Sequence, residues 1–139
     1  MKKILFTLSF LFTLYASNAQ EAMGYYYDYN QHFYCFYKGN NFQLESNKVD
    51  SIRAGIDYIA YIDQRGDLVA YYNGNKFTIE EDVPNQMIAT PYALVYKMAQ
   101  RLMIFEHGEK KELSKWVGHF YADQYIVTWQ ELPSLNIMA

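Results

Sequence analysis

DLVAYYNGNKFTIE, residues Asp67–Glu80, contains the strongest local structural signal in this chain. Two short segments rich in β-forming residues flank the dipeptide Asn73-Gly74. A two-residue turn of type I′ needs positive φ at both central positions, and Asn-Gly adopts those values at low cost. The stretch therefore predicts a β-hairpin.

The same pattern occurs upstream as HFYCFYKGNNFQLE (32–45) and downstream as RLMIFEHGEKKEL (101–113). The turn glycines Gly39, Gly74 and Gly108 are 35 and 34 residues apart, and a fixed period in this range is typical of a repeat architecture. Apolar residues keep the same register in each copy: Phe33, Leu68 and Leu102 six positions before the glycine, Cys35, Ala70 and Ile104 four before it, and Leu44, Ile79 and Leu113 five after it. The sequence predicts three related units centred on the three glycines.

Each hairpin is followed by two further strand candidates. The weaker ones lie at 49–55, 85–90 and 116–121, and the stronger ones contain residues 59–61, 94–96 and 127–129. Partial repeats precede and follow the three units, at 25–28 and 135–138. We therefore expect an all-β protein of three roughly 35-residue, four-stranded antiparallel repeats with no helix after the N-terminal segment.

A four-stranded antiparallel unit of this length resembles a β-propeller blade of the kind found in exported bacterial proteins. The resemblance covers nearly all of residues 20–139, which we expect to form a single β-repeat domain. It is a resemblance of architecture, since no Trp-Asp signature, Gly-His pair or Asp-box accompanies it. A β-trefoil-like closed barrel and a different sheet arrangement remain open as alternatives.

The first 19 residues have the layout of a secretory signal peptide. Lys2 and Lys3 precede an apolar run from Ile4 to Ala16, and small residues stand at the −3 and −1 positions of a cleavage site after Ala19. The apolar run is 13 residues long, which is shorter than the roughly 20 that a membrane span needs. We expect a cleaved signal, export to the periplasm or beyond the cell, and no membrane span in the mature chain.

The charge balance argues against two classes of partner. The net charge is −3, and removal of Lys2 and Lys3 changes it to −5. Nucleic-acid binding depends on Lys and Arg that neutralise phosphates, and here they are scattered and outnumbered. The same deficit disfavours binding to anionic lipid.

No catalytic or metal-binding pattern is present, and we expect no cofactor. His32, His107 and His119 lack a metal-ligand spacing, and the acidic stretch at 63–67 is interrupted by Arg65, which favours a connecting loop. Cys35 is the only cysteine, so no internal disulfide can form. Because Ala and Ile fill its position in the other copies, we expect a buried, unreactive thiol.

The aromatic content is high, with 15 Tyr, 9 Phe and 2 Trp. Tyr61, Tyr96 and Trp129 recur at matched positions, so we expect them in the core. Four residues do not recur and are candidates for a ligand-binding surface, because exposed aromatic rings can stack on sugars: Tyr29, Trp116, His119 and Tyr121.

These observations predict an exported, non-catalytic β-repeat module that acts by binding or assembly. A glycan or a protein is the expected ligand, and self-association through exposed sheet edges is a further expectation. The alternatives are part of a multi-blade enzyme and a truncated remnant of a longer propeller protein without activity of its own.

Overall fold

The computed structural model describes residues 23–133, and all regular structure in that range is β-strand. The thirteen strands are β1 (Gly24–Tyr27), β2 (Phe33–Tyr37), β3 (Asn40–Glu45), β4 (Asp50–Ala54), β5 (Tyr58–Ile62), β6 (Leu68–Tyr72), β7 (Asn75–Glu80), β8 (Gln86–Ala89), β9 (Ala93–Met98), β10 (Arg101–Glu106), β11 (Glu109–Ser114), β12 (Val117–Ala122) and β13 (Val127–Glu131). The prediction of an all-β repeat protein is confirmed. Within residues 23–133 no helix is long and apolar enough to cross a membrane.

The strands form four separate antiparallel sheets, which we name blades A to D. Blade A has the order β1-β2-β3, blade B β4-β5-β6-β7, blade C β8-β9-β10-β11 and blade D β12-β13. Neighbours in sequence are neighbours in each sheet, so every blade is a meander. Separate sheets of this kind match propeller blades and not a single closed barrel.

The three predicted hairpins lie at the outer ends of blades A, B and C. Their two-residue turns have positive φ at both positions, as type I′ requires: Lys38 (49°) and Gly39 (75°), Asn73 (47°) and Gly74 (84°), and His107 (51°) and Gly108 (79°). A β-bulge interrupts the pairing near the start of each hairpin's first strand, for example between Leu68 and Val69 in blade B. The bulge increases strand twist at the same place in all three copies.

The blades stack face to face through three apolar clusters. We call the side of a blade that packs on the next blade in chain order its front face, and the opposite side its back face. Phe33 and Cys35 on the front of blade A meet Tyr61 and Tyr71 on the back of blade B. The front of blade B packs on the back of blade C in a second cluster, and blade C packs on blade D in a third.

The first strands of blades B, C and D lie on the inner side of the arc. Strand β8 is in contact with both β4 and β12, the first strands of the adjacent blades. The hairpins are therefore on the outer side of the arc, as in a propeller whose first strands surround an axis.

The blade boundaries differ in phase from the glycine-centred units. Each predicted unit runs from one hairpin to the next, whereas blades B and C each contain a hairpin and the two strands before it. All three weaker strand candidates form strands, β4, β8 and β12. The predicted signal peptide and the partial repeat at 135–138 lie outside the described residues.

Two of the three recurring aromatic residues are in the core and one is not. Tyr61 and Tyr96 are fully buried, whereas Trp129 is 39% exposed, so the core prediction is wrong for Trp129. Its strand β13 pairs with β12 alone among the described strands, so less sheet surrounds the indole than surrounds the two tyrosines.

Candidate functional site at the blade junctions

The junction between blades A and B is held by a partly buried polar contact. The Tyr61 hydroxyl of blade B donates a hydrogen bond to Glu45 Oε1 of blade A at 2.7 Å. Lys76 Nζ, also in blade B, donates to the same oxygen at 3.0 Å and to the Leu44 carbonyl at 3.2 Å. We call this arrangement the Tyr–Glu–Lys clasp.

The junction between blades B and C has the same clasp. Tyr96 donates to Glu80 Oε1 at 2.7 Å, and Lys110 Nζ donates to that oxygen at 3.2 Å and to the Ile79 carbonyl at 2.8 Å. Burial, and secondarily the hydrogen bond to glutamate, raise the pKa of both Tyr61 and Tyr96 well above the usual tyrosine range. The hydroxyls therefore remain protonated donors at neutral pH.

The third junction, between blades C and D, lacks the clasp. Ser114 stands where Glu45 and Glu80 stand in the earlier copies, and Trp129 replaces the tyrosine. Ser114 Oγ instead donates to Glu131 Oε1 at 3.3 Å, and Lys97 Nζ donates to the Gly118 carbonyl. A tryptophan has no hydroxyl group to donate to a glutamate. The replacement of the clasp tyrosine by Trp129 is therefore consistent with the replacement of the clasp glutamate by Ser114.

Each junction also forms a surface cleft at the same place in the repeat. The cleft beside the first clasp has a volume of about 240 Å³ and includes Glu45 and Lys76 in its lining. The equivalent cleft beside the second clasp measures about 420 Å³. The third measures about 450 Å³ and is lined by Ser114, Trp116, Glu131, Leu132 and Pro133.

Trp116 separates the third cleft from a larger neighbouring depression of about 630 Å³. That depression is lined by Ala99, Gln100, Arg101, Glu112, Lys115 and Trp116. The Trp116 side chain is 56% exposed, and its backbone is fixed because its carbonyl accepts a hydrogen bond from Leu132 N at 2.8 Å. An exposed indole on a fixed backbone thus stands between two open depressions.

An ion pair lies along one wall of the larger depression. Arg101 Nε is 2.5 Å from Glu112 Oε2, and Glu112 raises the pKa of the guanidinium above its already high value. Gln100 and Lys115 add further polar groups. The surface combines an exposed aromatic face with charged and amide groups that can form hydrogen bonds.

The structure places the four predicted binding residues in three locations. Trp116 lies in the connection between β11 and β12, and His119 and Tyr121 are exposed on β12 two residues apart, so they share one side of that strand. Tyr29 is 99% exposed in the turn between β1 and β2 of blade A, with blades B and C between it and the others. Neither His119 nor Tyr121 lines the depressions beside Trp116.

Sequence reasoning missed Arg101, Glu112 and Ser114 as neighbours of Trp116. One signal was available, because the residue six positions after the turn glycine is Glu45, Glu80 and then Ser114. A position that is identical in two copies and different in the third marks the junction that departs from the pattern.

Four face-packed antiparallel sheets, with the first strands of blades B, C and D on the inner side of the arc, define a propeller-type blade protein. A family model described as a 10-bladed beta propeller domain matches residues 16–137, and the chain belongs to this family. No curated protein and no solved structure matches the chain significantly.

Proposed function

We propose that this protein is a non-catalytic binding module whose ligand-contact surface is centred on Trp116. The observation that supports this role is the half-exposed indole at the one described junction where the clasp is absent. The first two junctions use their glutamate, tyrosine and lysine to hold adjacent blades together. The third leaves its aromatic and polar groups available to a ligand.

A glycan is the ligand class that this surface fits best. The apolar face of a sugar ring packs on an exposed indole, while Arg101, Glu112 and Gln100 offer donors and acceptors for hydroxyl groups. The depression is open and shallow beside the ring, so it suits one or two residues of a longer polysaccharide.

A glycan array followed by titration calorimetry tests this proposal. Trp116→Ala is expected to weaken binding by up to about 10-fold, because one aromatic stacking contact is worth roughly 0.5–1.5 kcal/mol. Tyr125→Ala is the matched control, since Tyr125 is 86% exposed and outside the depressions. Wild-type affinity in Trp116→Ala would remove the site assignment.

Fluorescence distinguishes a glycan from a protein ligand. Trp116 and Trp129 are the two tryptophans, so Trp129→Phe leaves Trp116 as the single indole reporter. A change in its emission that saturates with an oligosaccharide supports the glycan. A response only to a protein partner would retain the surface and replace the ligand class.

The proposal includes export to the periplasm or the cell exterior, which rests on the layout of residues 1–19. Expression of the full chain in a bacterial host, followed by N-terminal sequencing, is expected to give a mature protein that begins at Gln20. An intact Met1 in the cytoplasmic fraction would contradict it.

Self-association is a second candidate role, supported by an unpaired edge. Strand β1 is the first strand of blade A, whereas blades B and C have a further strand on that side, so one edge of β1 is unpaired within the described sheet. Such an edge can add a strand from another chain. Sedimentation equilibrium of Phe36→Asp separates this mode from association through a sheet face, because edge pairing would persist in that variant.

A further inference from the structure

The back face of blade A is exposed although its residues occupy positions that are buried in the other blades. Three aromatic side chains form its centre: Tyr26 is 42% exposed, Phe36 is 47% exposed, and Tyr34 is half-buried. The strand register pairs Tyr26 with Tyr34, and their rings stack at 5.3 Å with an interplanar angle of 9°.

The equivalent positions in the next two blades are core positions. They are Tyr61, Val69 and Tyr71 in blade B, exposed by 0%, 2% and 4%, and Tyr96, Met103 and Phe105 in blade C, exposed by 0%, 4% and 2%. Each set is covered by the front face of the preceding blade. Among the described residues, the same surface is thus buried twice and uncovered once.

The chemistry of this face is that of an interface. A terminal repeat that faces water carries polar residues on its outer side. At the other end of the described arc, the exposed side of blade D is mixed, because β13 carries Thr128 and Gln130 and the paired strand β12 carries the 60% exposed Tyr121. The back of blade A has three aromatic side chains at its centre, Tyr26, Tyr34 and Phe36, which favours coverage by a partner.

One difference from the internal junctions indicates what that partner is. Lys76 and Lys110 each pair with a glutamate of the preceding blade, and Asn41 occupies their position in blade A. These lysine side chains are 50% and 43% exposed, and their ammonium groups supply one half of each clasp. Asn41 has no ammonium group to pair with a glutamate, so blade A lacks the lysine half of a clasp toward a preceding blade.

The face is also suited to pack against itself. None of the six residues on this side of the sheet is charged. They are Gly24, Tyr26, Tyr34, Phe36, Asn41 and Gln43. Two copies can therefore approach without like-charge repulsion, although the chain as a whole has a net charge of −3. A two-fold interface uses the same patch on both subunits and needs a self-complementary surface of this kind.

We propose that two copies of this chain associate through the back faces of their blades A, with Tyr26, Tyr34 and Phe36 of each copy covered by the other. This interaction surface is separate from the Trp116 surface and does not depend on the ligand proposed there. It also differs from edge pairing, because it buries side chains of a sheet face and leaves the β1 edge unpaired.

Sedimentation equilibrium of the purified chain tests the association. The wild type is expected to be a dimer at micromolar concentration, and Phe36→Asp is expected to raise the dimer dissociation constant at least about 100-fold, because it places a charge in each half of the interface. Tyr125→Asp introduces the same charge at a residue of blade D that is 86% exposed, and it is expected to remain a dimer. A monomeric wild type, or a Phe36→Asp protein that still dimerises, would overturn the proposal.

Mixing two variants identifies the symmetry. Phe36→Asp and Phe36→Lys are each expected to be monomeric alone and to form a heterodimer when mixed, because the two altered faces then carry opposite charges. If blade A instead bound a different surface of the second copy, both variants would lack a working blade A face and the mixture would stay monomeric. That outcome would contradict the face-to-face arrangement.

Asn41→Lys provides an independent measurement if the Phe36 variants fold poorly. It restores the lysine of the clasp on an exposed position of the same face. Face-to-face association is expected to weaken, because two lysines then meet uncharged surfaces. Stronger association would show that the partner supplies a carboxylate, as a preceding blade does, and would overturn the two-fold model.

Discussion

Cys35 shows how its neighbours determine the chemistry of a single residue. Its side chain is fully buried in the cluster between blades A and B, and burial raises its pKa from 9.0 to about 11. The thiolate is the reactive form of cysteine, so both access and ionisation are suppressed. We expect no reaction with a water-soluble disulfide reagent at pH 8 in the native state and stoichiometric reaction in denaturant. Rapid native labelling would contradict the structure.

The raised pKa of Cys35 predicts that the free energy of unfolding depends on pH. The folded state binds the Cys35 proton more tightly than the unfolded state, so this contribution is complete below pH 9 and is lost as the pH rises toward about 11. Cys35→Ala removes the thiol and places alanine where blade B has Ala70. Urea titrations from pH 8 to 11 are expected to show the stability of the wild type falling relative to Cys35→Ala. A constant difference would contradict the assignment.

Sequence comparison predicted the position of single residues well and their polar partners poorly. Cys35, Ala70 and Ile104 occupy the same position, four residues before the turn glycine. The prediction of burial at this position is correct for Cys35 and Ala70, and Ile104 is partly buried. Tyr61 and Tyr96 were correctly assigned to the core, but their glutamate partners are 16 residues away in an adjacent sheet. Periodicity reports which side of a strand is apolar, and it does not report which blade lies opposite.

At the level of elements, the clasp is the contact that ties the outer hairpins of blades A and B to the next blade. Tyr61→Phe and Tyr96→Phe each remove a buried hydroxyl that donates to a charged glutamate, and each is expected to lower the free energy of unfolding by about 1.5–3 kcal/mol. The two tyrosines have separate partners, so their effects are expected to add in the double variant. Chemical denaturation measures both.

Tyr125→Phe is the control for the clasp substitutions. It removes a hydroxyl from an 86% exposed ring, and surface changes of this kind usually alter stability by less than about 0.5 kcal/mol. If Tyr61→Phe were as mild as Tyr125→Phe, the clasp would be a geometric coincidence of the repeat and not a stabilising contact.

The hairpins were predictable because their signal is local, and the blade boundaries were not. Asn73 and Gly74 determine the turn within two residues, and the observed positive φ values match the prediction. Whether β4 pairs with β3 or with β5 depends on long-range packing across the connection at 46–49. A repeat has the same period wherever its boundary is placed. The period alone therefore cannot show which four strands belong to one blade.

At the scale of the whole molecule, the chain is a line of blades in which each cluster joins adjacent blades only. The sequence predicted this stacked architecture, but the alternation of apolar residues is the same on the back of blade A as on the back of blade B. Burial, which depends on the neighbouring blade, distinguishes the two faces.

A linear arrangement predicts that damage at one junction stays local. Val117 is fully buried between blades C and D, and Val117→Ala is expected to cost about 2 kcal/mol there, whereas Val83→Ala, at a 56% exposed loop position, is expected to cost little. Hydrogen exchange followed by mass spectrometry is expected to show faster exchange in β12 and β13 of Val117→Ala, with β2 and β5 unchanged. Blades B and C have covered faces on both sides, so β5, β6, β9 and β10 are expected to exchange most slowly in the wild type. Uniform acceleration in all blades would show instead that the described arc unfolds as a single cooperative unit.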